Sequence, residues 1–420
     1  MSSNIHVSSE IAPLKRVIVH RPDEGISRIS PKKAEELLFD DIVHLPRMQE
    51  EHDVFTQVLK TFLGQENVLE TISLLEEALA EDEEAKIEMI EKIVDYEELP
   101  LMYRDKLLNM PHPELVSVLV NGYLSSEDQY LFDPIPNFIF TRDIAVTVND
   151  HIVITKPNKE ARFRENFLTR FIIWAHPIFR KLRDEGRIIN LNRVNEFPPS
   201  SKGERISVEG GDVMIINSDY LLIGCSERTN AHGIHALKER LFQKGVVKNV
   251  VKINIPDERS FMHIDTIFTQ INHNHIVAFK PIVYDGLSSS VEVFSSNGAK
   301  RKYYTVKEFI HSEINPNMEF IFSGNGDSPY QEREQWTDGC NLVALRPGLA
   351  LTYDRNPKTE EAFLQRGYQV IHAFDLLKAV EKGKINPATL ENAIITLPSS
   401  ELSRARGGSH CMTCPIERGG

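Results

Sequence analysis

An α/β fold assembled from repeated strand–hairpin–helix modules is the architecture this 420-residue sequence predicts. Three observations carry that expectation. Four times a polar residue (Asp143, Asp212, Asp265 and Asn341) leads into an apolar run, a turn and a second apolar run, which is how a β-hairpin reads. Helical periodicity fills the intervals at 161–182, 232–243, 305–313 and 359–366. The β-branched run Leu14-Lys15-Arg16-Val17-Ile18-Val19-His20-Arg21-Pro22, closed by proline, reads as a further strand and brings the units to five. The hairpin-opening residues are 69, 53 and 76 positions apart, so no solenoid period exists. The modules are instead expected to be pseudo-symmetric about a centre, with each opening polar residue facing a shared cavity.

Taken in order, the first strand is followed by Ser30-Pro31, which opens a helix-like segment with Glu35 and Glu36 in its first turns. From 47 to 131 the pattern is helical throughout. Phe55, Val58, Leu59 and Phe62 recur at helical spacing, as do Leu74, Leu75 and Leu79, then Ile87, Ile90 and Val94. This predicts a helical insert at 47–131 dividing a main domain of 1–46 and 132–420. The insert carries the charge imbalance. Residues 65–98 hold thirteen acidic side chains and two lysines, a local −11 out of a total of −13, and the remainder is near neutral at −2. Such a stretch is a solvated helical face. No basic stripe offers itself to nucleic acid.

The composition, 41% hydrophobic and 26% charged, is that of an ordinary globular chain. No apolar run reaches membrane-spanning length, so no transmembrane helix and no membrane partner is expected. The start, Met1-Ser2-Ser3-Asn4-Ile5-His6, has neither a basic nor an apolar block of a signal peptide. The cysteines at 225, 340, 411 and 414 are too few and too unevenly spaced for a disulfide framework. A cytoplasmic, reducing location is the expectation.

The chemistry is expected in the stretch Arg406-Gly407-Gly408-Ser409-His410-Cys411-Met412-Thr413-Cys414-Pro415-Ile416. Two glycines before a thiol describe a shaped loop, since glycine permits close backbone approach. A lone cysteine is usually a small buried hydrophobe, but this lead-in argues for a nucleophile. A redox pair with Cys414 lacks a following helix, and a zinc site lacks a second ligand pair. Upstream, Glu209-Gly210-Gly211-Asp212 repeats the glycine-pair device. His263-Ile264-Asp265 places a histidine and a carboxylate two apart, on one face if the segment is extended. Asp143, after Arg142, reads equally as a structural ion-pair partner, and Arg162 and Arg228 read by default as solvated charges.

Taken together, Phe140-Thr141-Arg142-Asp143, Glu209-Gly210-Gly211-Asp212, His263-Ile264-Asp265 and the Gly-Gly-Ser-His-Cys tail resemble the arginine deiminases, members of the guanidino-modifying enzymes. The resemblance spans essentially the whole chain, including the helical insert after Leu37-Leu38-Phe39-Asp40-Asp41-Ile42. It implies a five-bladed pseudo-symmetric α/β-propeller with an inserted helical domain. It makes Cys411 the nucleophile, His263 the general acid and base, Glu209 the partner of that imidazole, and Asp143 and Asp265 the carboxylates on the guanidinium. Asn137, Arg162 and Arg228 would hold the substrate's α-carboxylate, and Arg406 would belong to a mobile loop over the site. L-Arginine and water are the implied partners, with no metal and no organic cofactor, and a homo-oligomer is expected. Ala405 and Ser409 depart from the pattern, standing where such enzymes often carry glycine.

The residue types suit the reaction. A guanidinium presents a planar fork of N–H donors that carboxylates match bidentately. A thiolate can attack the carbon so held, and an acid must protonate the departing nitrogen. Other guanidino chemistries compete with this reading. Agmatine would leave Arg162 and Arg228 without a carboxylate, methylarginine hydrolases are shorter and lack the insert, and an amidinotransferase would use the same thiol and histidine. A non-catalytic arginine-binding protein is the alternative outside enzymology.

Overall fold

Every expected hairpin forms, and each is followed by a third strand that returns parallel to the hairpin's second strand, as can be seen in the computed structural model, which describes residues 4–39 and 41–419. Of the residues singled out above, Met1, Ser2, Ser3 and Asp40 lie outside the described ones. Ala145–Val148 and His151–Ile154 pair antiparallel, helix Phe163–Ala175 follows, and Ile188–Asn190 returns. The same order recurs with Val213–Asn217, Tyr220–Cys225, helix Ala231–Gln243 and Asn249–Asn254. Two further antiparallel strands, Ser290–Ser295 and Lys300–Tyr303, widen that sheet. It recurs with Phe268–Asn272, His275–Ala278 and Glu319–Phe322. It recurs once more with Val343–Arg346, Leu349–Tyr353 and Ala393–Leu397, which Gln369–His372 flanks in parallel. Parallel neighbours need a crossover, and helices supply most of them.

The fifth sheet is closed by the two ends of the sequence. Leu14–Val19 lies between Val68–Glu70, parallel to it, and Cys414–Arg418, antiparallel to it. Helix Leu45–Leu63 connects the parallel pair. The strand after Cys411 therefore takes the part that the first hairpin strand takes elsewhere.

Three local expectations change. Residues 31–38 form consecutive turns in place of a helix, ending at Leu38 with φ 61°. Leu37 and Phe39 are both buried, and a helix cannot turn residues two apart to the same side. The long helix expected over 161–182 breaks at Pro177. His176 turns extended (φ −68°, ψ 133°), as steric conflict with the proline ring requires, and a short helix Arg180–Asp184 resumes beyond it. Within 47–131 the strand Val68–Glu70 and the ribbon Tyr123–Leu124/Gln129–Tyr130 interrupt the helices.

Helices Thr71–Glu81, Glu83–Tyr96, Leu101–Leu108 and His112–Asn121 make up the rest of that region. Asp82 caps the second of them by accepting from the Ala85 amide, satisfying a donor that the helix leaves open. Their apolar faces (Leu74, Leu75, Leu79, Ile90, Ile93, Leu119) join one core with Phe138, Ile144, Leu168 and Phe171 of the neighbouring module. Among the described residues no helix is long and apolar enough to cross a membrane.

Candidate active site

One short loop precedes the first strand of each sheet, and these five loops are linked to one another. The Gly211 amide donates to Asp143 Oδ1 at 3.0 Å, and the Ile264 amide donates to Asp212 Oδ1 at 3.0 Å. Asn341 Nδ2 donates to the Asp265 carbonyl at 3.0 Å. The Cys411 amide donates to Asn341 Oδ1 at 3.2 Å, and the Arg142 amide donates back to the Cys411 carbonyl at 3.0 Å. The circuit returns to its start. Its members are the hairpin-opening residues Asp143, Asp212, Asp265 and Asn341, joined by Cys411, and all five are buried.

The glycine pairs make this approach feasible. A Cβ on Gly211 would stand 2.5 Å from His263 Nδ1 and 3.0 Å from Asp143 Oδ1. One on Gly408 would stand 2.6 Å from Asn341 Oδ1. Either contact would force the loops apart. Ser409, where glycine is usual, uses its hydroxyl: it donates to the Leu351 carbonyl at 2.7 Å and accepts from the Val343 amide at 3.2 Å. Ala405 lines the cavity beside Arg406.

Cys411 Sγ accepts from Asn341 Nδ2 at 3.2 Å and lies 3.5 Å from Asp265 Oδ2. Burial, then the carboxylates of Asp265, Asp143 and Asp338, push this thiol well above its ordinary range. His263 Nε2 bonds Glu209 Oε2 at 3.1 Å, and Nδ1 is 3.8 Å from Asp143 Oδ1. Burial opposes charge on the imidazole, but Asp143, the Glu209 bond and Asp212 outweigh it and raise the pKa to about 9. Glu209 is held well below the carboxylate range, since His263, Arg228 and Arg162 together overcome its burial. Burial pushes Asp212 up to about 7.

Asp265 belongs to a second chain of contacts. Its Oδ2 bonds His410 Nδ1 at 2.8 Å, and His410 Nε2 reaches Glu10 Oε2 at 3.3 Å. Although burial works against it, the His410 bond keeps the Asp265 carboxyl low. His263 and Asp265 thus face different partners. They sit at a 3-10 turn, Ile264–Thr266, and not in the extended segment expected, so their side chains diverge.

The four residues predicted to hold a carboxylate are placed differently from one another. Arg162 is buried, not solvated: its guanidinium bonds Asp143 Oδ2 at 2.5 Å, Glu165 at 2.9 Å and the Asn137 carbonyl at 3.2 Å. The ion-pair reading of Asp143 is therefore realised. Arg228, also buried, is 3.9 Å from Glu209 Oε1. Asn137 donates its side-chain amide to the Leu37 carbonyl at 2.7 Å. Arg406 adopts φ 62° and lays its guanidinium 3.2 Å from the centroid of the Trp336 ring.

Cys411, His263, Glu209, Asp143, Asn137, Arg162, Arg228 and Arg406 all line one cavity of about 20 Å³, room for no more than about a water molecule. Leu38, Arg228 and Arg259 are shared with an outer chamber of about 840 Å³. Asp143, Glu209 and His263 offer ligand atoms within 4.8 Å of one another, and Arg162 is ion-paired with both carboxylates. Asp265 and Asn341, both expected to face the cavity, do not line it but contact Cys411 from behind, and His410 and Glu10 join the site without having been expected there. His410 stood in the quoted tail; Glu10 carries no local signal.

A family model described as arginine deiminase matches residues 35–125 and 102–418. The chain belongs to the arginine deiminase family. An arginine deiminase of Listeria monocytogenes serotype 4b (strain CLIP80459) is 33% identical over 445 residues, covering 100% of this chain and 98% of that protein. An arginine deiminase of Limosilactobacillus fermentum (strain NBRC 3956 / LMG 18251) is 33% identical over 451 residues, covering 100% and 99%. Among solved structures, the product-bound N-terminal domain of ArgZ, an arginine dihydrolase from cyanobacteria, aligns with TM-score 0.50 at 13% identity, over 96% of this chain and 97% of that one. AgrE in ternary complex with ornithine and NAD+ aligns with TM-score 0.51 at 13% identity, over 96% of this chain and 39% of that one. At such identity these two structures speak for the α/β fold that this family member shares with them.

Proposed function

We propose that this chain is an arginine deiminase that hydrolyses L-arginine to L-citrulline and ammonia through a covalent thiouronium on Cys411. The observation that carries the reading is the convergence of Cys411, His263, Glu209 and Asp143 on one buried cavity from separate sheets. Asp143 and Asp265 are assigned to the guanidinium, and Asn137, Arg162 and Arg228 to the α-carboxylate. Because Arg162 spans Asp143 in the resting site, binding requires the substrate's guanidinium to take over that carboxylate. Because the cavity is smaller than arginine, the loop bearing Arg406 is assigned the movement that admits it.

The thiol does not ionise readily among three carboxylates, so the incoming cation supplies the field that lowers its pKa. The thiol releases its proton to solvent as the cation binds, and the thiolate forms a C–S bond to the central guanidinium carbon. His263, charged at neutral pH, gives its proton to the terminal nitrogen, and the C–N bond breaks to release ammonia. A water then attacks the thiouronium carbon and yields its proton to His263. The C–S bond breaks, the remaining hydroxyl proton passes to solvent, where the released ammonia takes it up, and the ureido product and the thiolate are restored. Glu209 keeps the imidazole oriented and basic throughout. No step calls on a metal or an organic cofactor.

The same reading takes the sheets as the blades of a five-bladed propeller, supported by the hydrogen-bond circuit that joins the five loops. It takes 47–131 as an insert into a catalytic domain of 1–46 and 132–420, supported by the run of helices there. A cytoplasmic location accords with four free cysteines. A homo-oligomer is part of the reading and is checked by light scattering.

The deciding experiment measures citrulline and ammonia together from L-arginine, with and without a primary amine acceptor. Equal amounts of both products, unaffected by the amine, support hydrolysis over amidine transfer. Cys411→Ala should bind arginine and release no ammonia; undiminished turnover in that variant overturns the mechanism.

A further inference from the structure

A second cavity, of about 340 Å³, lies between helices Glu83–Tyr96 and Phe163–Ala175 and shares no lining residue with the cavity around Cys411. Apolar side chains, Met89, Phe171 and Trp174 among them, form one part of its wall, and polar and charged ones form the rest. Three cations reach it, Lys92, Arg170 and Arg193, against one carboxylate, Glu88. That excess of positive charge stands beside the most acidic stretch of the chain. Lys92 is engaged with Glu88, and Arg193 bonds Glu196 at 3.0 Å. Arg170 differs from both. Its Nε is buried with no acceptor, and among the described residues the guanidinium makes no ion pair, only a 5.7 Å approach to the Phe167 ring.

Glu88, already engaged by Lys92, acts on Arg170 only through space, and a largely buried guanidinium whose Nε has no acceptor is costly to keep. Its planar fork matches a carboxylate or a phosphate. The cavity's size falls at the small end of small-molecule sites, roughly 300–1,000 Å³. We propose that it binds a small organic anion, a carboxylate or phosphate head on an apolar or aromatic body, with the head on Arg170 and the body against Met89, Phe171 and Trp174. An inorganic anion alone would leave the apolar part of the wall wet, and a neutral apolar molecule would leave Arg170 Nε without an acceptor. Both halves of the ligand are needed. The proposal does not depend on the reaction assigned to Cys411.

Trp174 is one of only two tryptophans in the chain, so its fluorescence reports on this cavity. The full-length protein is titrated with phenylphosphate and with phenylacetate, which separate the two head groups, and with neutral phenylacetamide as control. At least one anion should quench saturably, bind at least about tenfold more weakly to Arg170→Gln, and lose its signal in Trp174→Phe. The amide should bind wild type and Arg170→Gln alike. Arg170 lies outside the catalytic machinery, so unchanged citrulline formation certifies that the variant is folded. Should it fail to fold, Arg193→Gln replaces it, with a several-fold loss expected. The proposal is overturned by any of three results: no saturable binding of either anion, equal affinity for amide and anions, or affinity indifferent to both arginine variants.

Discussion

Around Cys411 the charged side chains Asp143, Glu209, Asp265, His263, Arg162 and Arg228 are all buried, whereas none of the thirteen acidic residues between 65 and 98 is. The two regions hold charge on opposite terms. In the helical region water solvates the carboxylates, and stability comes from apolar faces such as Leu75 and Ile90. At the centre each charge depends on named neighbours, because an unpaired buried ion is expensive. The centre therefore gives up robustness for groups that are already aligned and desolvated when substrate arrives. Substitutions there should disturb chemistry first, and those in the helical region should disturb stability alone.

The largest expected effect is Glu209→Gln. It removes the charge that orients His263, so kcat should fall about 10²–10⁴-fold, with the imidazole titrating below about 9 in a pH–rate profile. Unchanged turnover would erase the distinction between the regions. Its counterpart is Leu75→Ala, in the fully buried face of helix Thr71–Glu81. Urea unfolding should show a loss of about 2–5 kcal/mol, while kcat of the folded fraction stays the same.

Asn341→Ala tests a residue that belongs to both categories. It strips partners from the His410 and Cys411 amides, the Asp265 carbonyl and the sulfur. A loss of about 1–3 kcal/mol in stability is expected, together with a higher thiol pKa in ultraviolet titration. A purely structural residue would shift only the former.

A gentler effect appears with pH. His263 in the folded protein titrates near 9, above the unfolded value of about 6.5, so its contribution is complete below the lower value and fades as pH rises through the higher. The urea midpoint of the wild type should fall across that window more than that of His263→Gln. His20, raised to about 10 by Asp23 and Glu70 against the opposing effect of its burial, declines similarly in both proteins, and the difference isolates His263. The smallest effect belongs to the exposed pair Arg180–Glu81, 3.3 Å apart. Its removal should change stability by less than about 1 kcal/mol.

Much of this was legible because the hairpins announce themselves. Asp143, Asp212, Asp265 and Asn341 each precede alternating or apolar runs with turn chemistry, and all four join the hydrogen-bond circuit, although only Asp143 lines the cavity. Arg162 and Arg228 were not legible as buried residues, because the partners that make burial tolerable (Asp143 and Glu209) come from other loops. Glu10 fails for the same reason, having its partners Arg142 and His410 far along the chain. The pairing of Cys414–Arg418 with Leu14–Val19 leaves no trace in local periodicity. The turns at 31–38 look helical in sequence because Pro31 and the following glutamates imitate a helix start, while the requirement to bury both Leu37 and Phe39 arises only in the assembled core.

That closing strand also fixes a chronology. As the polypeptide leaves the ribosome, the carboxylates and the imidazole are synthesised and can dock before the sulfur emerges. A nascent chain would thus possess an acidic cradle for a cation but no means of attacking one. Any later excursion that frays the seam between Leu14–Val19 and Cys414–Arg418 would return the enzyme to that inert stage, with the remaining sheets intact.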